Sequence, residues 1–196
     1  MIDIPCVILC GGKSSRMKED KTLLPFFNSN SLAQFQYDRL KLHFQNIYIS
    51  SKTNKFDFIN EENLILDENK EVFSPILALD TIFKRFYNQK IFIITVDSPF
   101  VSIESIKSLI KNSNDVDICV AKTEDKVHNL CGVFDSNISL TIKYMINQDI
   151  HKINYLIKQN KFKIIDFPID NEFMNINNPD DYKKSLSYIN KIYNSN

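Results

Sequence analysis

Hydrophobic and polar positions follow two rhythms along this chain. Residues 4–10 and 91–96 are short, almost unbroken apolar runs, the pattern of strands buried on both faces. Residues 47–50, 64–66, 116–121, 130–134 and 162–167 read as further strands. Elsewhere apolar residues recur every three or four positions, as on a helix. Leu32, Phe35, Leu40 and Phe44 mark a helix in 31–44, and Ile76, Leu79, Ile82, Phe83 and Phe86 mark one in 75–86. Segments 102–110, 138–146, 153–158 and 179–193 are also predicted helices. Ser31 and Ser102 stand at capping positions. Pro75 and Pro179 stand at first-turn positions, and Asp180 and Asp181 add first-turn acids that suit the helix dipole.

Strand and helix alternate throughout. The expected fold is therefore α/β: one three-layer, Rossmann-like domain over residues 1–196 with a mostly parallel central sheet. Ligands of such sheets bind beyond the carboxyl ends of the strands. The loops after Cys10, Ser50, Leu66 and Val96 are the places to look.

Composition narrows the class. A hydrophobic fraction of 43% and a charged fraction of 24% suit a soluble globular protein. Lys and Arg number 24 against 24 Asp and Glu. That balance argues against a general nucleic-acid binder and leaves room for a local cationic pocket. The apolar runs are too short to cross a bilayer. The first residues show neither a basic stretch nor a small-residue cleavage site. Cys6, Cys10, Cys119 and Cys131 form no C-x-x-C pair, so neither a disulfide framework nor a zinc site is expected. The expectation is a cytoplasmic protein with small-molecule substrates and no nucleic-acid or membrane partner.

The chain has only 3 glycines, Gly11, Gly12 and Gly132. Two of them follow the first predicted strand, in "LCGGKSSRMKEDKTLLPF". The letters Gly12-Lys13-Ser14 resemble the end of a Walker A loop, but that motif needs a glycine where Val7 stands, inside the strand. What remains is a glycine turn followed by Arg16 and Lys21. Adjacent glycines let the backbone turn sharply and approach a ligand closely, and successive amides there can form an anion nest. Arg16 offers a planar fork for phosphate oxygens, and Lys21 a point charge. From spacing alone, a plain turn with solvated charges fits equally well.

The same stretch resembles the signature L-x-G-G-x-S-x-R-M-G-x-D-K-x-L of nucleotidyltransferases, and its Arg-Met and Asp-Lys pairs resemble the molybdenum cofactor guanylyltransferases. "LILDENKEVFSPILAL", "IFIITVDSPFV" and "FMNINNPDDY" resemble later segments of that family in the same order, from about residue 4 to residue 183. The resemblance implies a nucleotidyltransferase fold and a magnesium-dependent transfer of GMP from GTP to the terminal phosphate of molybdopterin, releasing pyrophosphate. It implies that Arg16, Lys21 and Asp97 are catalytic, with Asp97 holding the metal. It implies that Leu9, Cys10, Gly11 and Gly12 lie along the nucleotide, that Asp67 meets the base, and that Asn175 and Asn177 lie where the pterin docks. Transient contacts with other molybdenum cofactor biosynthesis proteins would accompany that role.

The chain departs from the family pattern in four places: Lys18 replaces Gly, Ser50 replaces a frequent Asn, Ser74-Pro75-Ile76 replaces Gly-Pro-Leu, and His128-Asn129 replaces His-Pro. Read without the resemblance, Asp97 before Ser98-Pro99 is a turn or cap residue, Asp67 a solvated acid, and Asn175 and Asn177 turn formers before Pro179. His43 is expected on a helix surface, and His128 and His151 in loops. Base choice stays open: a cytidylyltransferase of the same cofactor, or another small-molecule nucleotidyltransferase, fits the same chemistry. A nucleotide-binding module without turnover is the alternative of a different class.

Overall fold

A seven-stranded sheet is the spine of the computed structural model, with strand order β3-β2-β1-β4-β6-β5-β7. Described are residues 1–12, 17, 19–124, 126–168 and 171–194. The strands are β1 (Cys6–Leu9), β2 (Ile47–Ser51), β3 (Leu64–Leu66), β4 (Lys90–Thr95), β5 (Ile118–Thr123), β6 (Lys126–Asp135) and β7 (Phe162–Phe167). The helices are α1 (Leu32–Lys41), α2 (Pro75–Arg85), α3 (Ile103–Lys111), α4 (Ser139–Asn147), α5 (Ile153–Lys158) and α6 (Pro179–Asn194).

Alternation along the strands builds two cores, one on each face. Cys6, Ile8, Phe92, Ile94, Cys119 and Val133 pack with residues of α1, α3 and α6. Val7, Leu9, Ile91, Ile93, Ile118 and Phe134 pack with residues of α2, α4 and α5. The predicted caps form: Ser31 Oγ accepts from the Gln34 amide at 3.1 Å and Ser102 Oγ from the Ser105 amide at 3.1 Å. The structure thus gives capping of α3 to Ser102 and not to Asp97.

β1, β2, β3 and β4 run parallel, as do β5 and β7; β6 runs antiparallel to both β4 and β5. The chain leaves β1 toward β2 and β3, then returns to β4 on the other side of β1. The carboxyl ends of β1 and β4 therefore flank the switch point, where open α/β sheets bind ligands.

β6 is longer than the apolar run 130–134 foretold, because Lys126 and His128 carry no strand-like hydrophobicity. His128, expected in a loop, lies in this strand. The register of β6 against β5 jumps: Val120 faces Gly132, but Ala121 faces His128. Asn129, Leu130 and Cys131 therefore form a wide bulge, a device that re-aims side chains beside functional sites. Pairing with β4 ends at Ile93 and Gly132, so β4 and β6 part just before β4 ends. Gly132 is needed for close approach: a Cβ there would fall inside the van der Waals shell of the Cys119 carbonyl oxygen and 2.8 Å from Val120 Cα.

Candidate active site

Two adjoining cavities open at the strand ends. The first, about 360 Å³, is lined by Leu9, Gly11, Gly12, Ser50, Asp67 and Ser74, among others. The second, about 290 Å³, is lined by Asp97, Ser98, His128, Asn129, Asn175 and Asn177, among others. Thr95 and Leu130 line both. One crevice thus has two halves, divided where β4 and the β6 bulge separate.

The first half has a largely apolar wall that includes the Gly11–Gly12 turn. Gly12 has φ of 151°, a backbone conformation that favours glycine. A Cβ on Gly11 would sit 3.7 Å from Asp67 Oδ2, so the turn and the carboxylate are near neighbours. Asp67 follows β3, and its amide donates to the Ser51 carbonyl at 2.9 Å. Its side chain accepts from Ser50 Oγ at 3.1 Å. Only 5% of Asp67 is exposed, which overturns its reading as a solvated acid. Burial pushes its pKa up, against the lowering effects of the Ser50 bond and the Lys52 charge.

A strap covers this half. Lys52 Nζ donates to the carbonyls of Asn69 and Val72 at 2.8 and 2.7 Å and lies 4.6 Å from the centre of the Phe73 ring. Ser74, the cap of α2, bonds His151 Nδ1 at 2.7 Å. His151 is in the α4–α5 connection, as expected.

The second half is richer in polar residues. Lys21 Nζ lies 2.5 Å from Asp97 Oδ2 and 3.3 Å from the Ile176 carbonyl. Asp20 holds the turn that carries Lys21: its Oδ1 accepts from the Thr22 amide at 3.0 Å and the Thr22 hydroxyl at 2.7 Å, while Oδ2 pairs with Lys55. The Ile176 amide donates to the Asp97 carbonyl at 2.9 Å, which ties the C-terminal segment to the end of β4. Asn175 donates to Ser98 Oγ at 2.8 Å and accepts from Lys126 Nζ at 2.9 Å. The Asn177 amide donates to Asp181 at 3.0 Å, and Asn177 lines the cavity wall.

His128 is buried beside the Phe173 ring, and its Nε2 is 2.9 Å from Thr123 Oγ1. Burial, helped by the Lys126 charge, lowers its pKa to about 4. A base depressed in this way stabilises the fold above its unfolded pKa, and that contribution is lost as pH falls from about 6.5 toward 4.

The expected site residues divide as follows. Leu9, Gly11, Gly12 and Asp67 meet in the first cavity, and Asp97, Asn175 and Asn177 in the second. Lys21 joins the second set through Asp97. Cys10 does not present its side chain there: its thiol is buried in the α1–α3–α6 core, which drives its pKa well up. Arg16 and Lys18 lie outside the described residues. Sequence reading missed Asp20, Ser50 as partner of Asp67, Thr95, and the wall formed by Lys126, Asn129 and Leu130. Thr95 closes a buried strand, and that position alone could have marked it.

Among the described residues, no group of three or more His, Cys, Asp and Glu side chains gathers as a metal cage. Asp97, with the hydroxyls of Thr95 and Ser98 in the same wall, instead suits a hard cation that takes its remaining ligands from phosphate and water. Among the described residues no helix is long and apolar enough to cross a membrane.

Residues 6–161 match the MobA-like NTP transferase domain. A molybdenum cofactor guanylyltransferase of Campylobacter jejuni subsp. doylei is 40% identical over 187 residues, covering 94% of this chain and 96% of that relative. One from Helicobacter pylori strain 26695 is 33% identical over 196 residues, covering 96% and 94%. The crystal structure of molybdopterin-guanine dinucleotide biosynthesis protein A from Archaeoglobus fulgidus superposes with a TM-score of 0.79 at 20% identity, covering 96% of this chain and all of that one.

Proposed function

The chain belongs to the MobA-like NTP transferase family, and from that premise we propose that it is a molybdenum cofactor guanylyltransferase. GTP occupies the first half of the crevice and molybdopterin the second. The terminal phosphate oxygen of molybdopterin attacks the α-phosphorus of GTP, the bond to the β-phosphate breaks, and pyrophosphate leaves.

Each protein group has a role in this reading. The Gly11–Gly12 turn lets the backbone lie against the nucleotide without a Cβ in the way. Asp67 accepts hydrogen bonds from the N1 and N2 donors of guanine, which cytosine does not offer in that arrangement. Lys21, anchored by Asp97 and the Ile176 carbonyl, sets a fixed positive charge beside the phosphates; the family resemblance assigns Arg16, outside the described residues, to the same task. Fixed charges cost no reorganisation when the phosphorus centre gains charge. Holding two phosphate-bearing substrates in adjoining cavities also removes much of the entropic barrier to their meeting. No protein nucleophile is needed. Asp97 would hold magnesium, which when bound neutralises phosphate charge. In this reading the protein works in the cytoplasm, where transient contacts with other cofactor-biosynthesis proteins would accompany the reaction.

The observation that carries the reading is the meeting of a glycine turn, a buried Asp67 and a Lys21–Asp97 pair along one divided crevice. Pyrophosphate release with GTP and molybdopterin tests it. Release with CTP alone would replace it by a cytidylyltransferase. Saturable GTP binding without release would leave only a nucleotide-binding module.

A further inference from the structure

Lys126 is the first residue of β6 and stands opposite Thr123 of β5. It lines the second cavity and is exposed. Its ammonium is held in a defined place, where Nζ donates to Asn175 Oδ1 at 2.9 Å. The nitrogen of the same amide donates to Ser98 Oγ at 2.8 Å and lies 3.4 Å from Asp97 Oδ1. Lys21 meets the other oxygen, Asp97 Oδ2. One lysine is thus tied to each oxygen of the carboxylate, Lys21 directly and Lys126 through Asn175.

The charges of the second half do not cancel. Among the described residues that line it, Asp97 and Lys126 are the charged ones, and Asp97 is already neutralised by Lys21. His128 adds no charge near neutral pH, because burial, helped by the Lys126 charge, holds its pKa at about 4. Lys126 makes no ion pair among the described residues, whereas the nearby Lys122 pairs with Asp166. Its one partner is a neutral amide oxygen, and an ammonium has three donors. The corresponding cation of the first half is differently placed: Lys52 spends two donors on strap carbonyls. Lys126 therefore leaves a positioned, uncompensated positive charge in the wall of the second cavity, and an anion completes it.

The acceptor brings such an anion to this half, its terminal phosphate. That group must approach the phosphates of the nucleotide to react, and like charges at close range repel. A cation on the acceptor side offsets the repulsion and fixes where the attacking group sits. We propose that the Lys126 ammonium binds the terminal phosphate of the acceptor, with Asn175 holding the lysine in place, while Lys21 serves the phosphates of the nucleotide. The assignment rests on the guanylyltransferase reading above. It gives Asn175 a task beyond lining the cavity, that of a positioning residue for Lys126.

The test uses the full chain and two variants. Lys126→Gln removes the charge and keeps an N–H donor for Asn175. Lys126→Arg keeps the charge. The KM for molybdopterin and kcat are read from pyrophosphate release, and the Kd for GTP from calorimetry. Gln should raise the acceptor KM about tenfold, the effect of one lost charge-assisted hydrogen bond. The GTP Kd and kcat should move far less, and Arg should stay near the wild-type KM. Added salt should raise the acceptor KM of the wild type more steeply than that of the Gln variant. An unchanged acceptor KM in Gln overturns the assignment. So does a GTP Kd that weakens as much as the acceptor KM rises, since the lysine would then serve the nucleotide. An Arg variant as impaired as Gln also overturns it, because the loss would not follow the charge. If the wild-type protein itself releases no pyrophosphate with GTP and molybdopterin, the guanylyltransferase reading fails and takes this assignment with it. Wild-type release combined with an unaltered Gln variant removes this assignment alone.

Discussion

The two halves of the crevice are built by different means. The first stands at the ends of β1, β2 and β3, three parallel strands whose loops converge because they all point the same way. Its wall is largely apolar and includes the glycine turn and a strap pinned by Lys52. The second gathers the end of β4, an antiparallel strand with a bulge, and a C-terminal segment stitched to Asp97. Its wall includes polar side chains bonded to one another. In the proposed reading the nucleotide would lie in the first half, against the glycine turn, and the acceptor in the second, against the end of β4, the bulge and the C-terminal segment. Changes in the first half should act on GTP, and changes in the second on chemistry and acceptor.

The Lys21–Asp97 pair of the second half gives the largest expected effect. Asp97→Ala and Lys21→Ala should each lower kcat about 100- to 1,000-fold, the size seen when one fixed charge-stabilising group is removed. Because the two side chains touch, the double variant should lose much less than the product of the single losses. Circular dichroism should show an intact fold in all three, and wild-type turnover in either single variant would move the reaction centre elsewhere.

A Gly132→Ala substitution strikes the hinge of the bulge. The added methyl meets the backbone of β5, and backbone cannot rotate out of the way. Urea denaturation should show a loss of about 1–3 kcal/mol. In the protein that still folds, the acceptor KM should rise more than the GTP Kd; equal effects on both would deny that the two halves are separable.

Gly12→Leu should weaken GTP binding about tenfold or more, about 1.4 kcal/mol. Space for a Cβ exists in the empty turn, so the effect would come from the conformation of Gly12 and from the nucleotide lying against it. Undiminished GTP affinity by calorimetry would remove the nucleotide from the turn.

The smallest effect is the most informative about base choice. Asp67→Asn should weaken GTP severalfold by replacing a charged acceptor with a neutral one. It should also change the pH profile. Burial raises the Asp67 pKa, so the free carboxylate takes up its proton above the ordinary aspartate range. GTP affinity should fall as pH drops through that raised pKa, and the Asn variant should lack the fall. The stability sign is opposite: a carboxyl with a raised folded pKa favours the fold when protonated, and that contribution disappears as pH rises through the folded pKa.

Much of this was legible beforehand, for local reasons. Runs such as 91–96 and the stripe from Ile76 to Phe86 can be satisfied only by buried strands and an amphipathic helix. Ser31 and Ser102 mark their helices because a hydroxyl beside an apolar stripe has one obvious use. The glycine turn stood out because the chain otherwise avoids glycine. His128 was misplaced because a strand at a sheet's carboxyl edge need not alternate apolar and polar residues. Cys10 turns its thiol into the core because neighbouring residues at the end of β1 point into opposite cores.

Local periodicity and the rarity of glycine thus determined the elements, their alternation and the first wall of the site, since each depends on interactions within a few residues. The tertiary structure alone decided that Lys21 meets Asp97 across 76 positions, that Asp67 is buried, and that β6 bulges between His128 and Gly132. Those outcomes depend on strand order and register, which are set by how whole faces pack together and leave no mark at any single position.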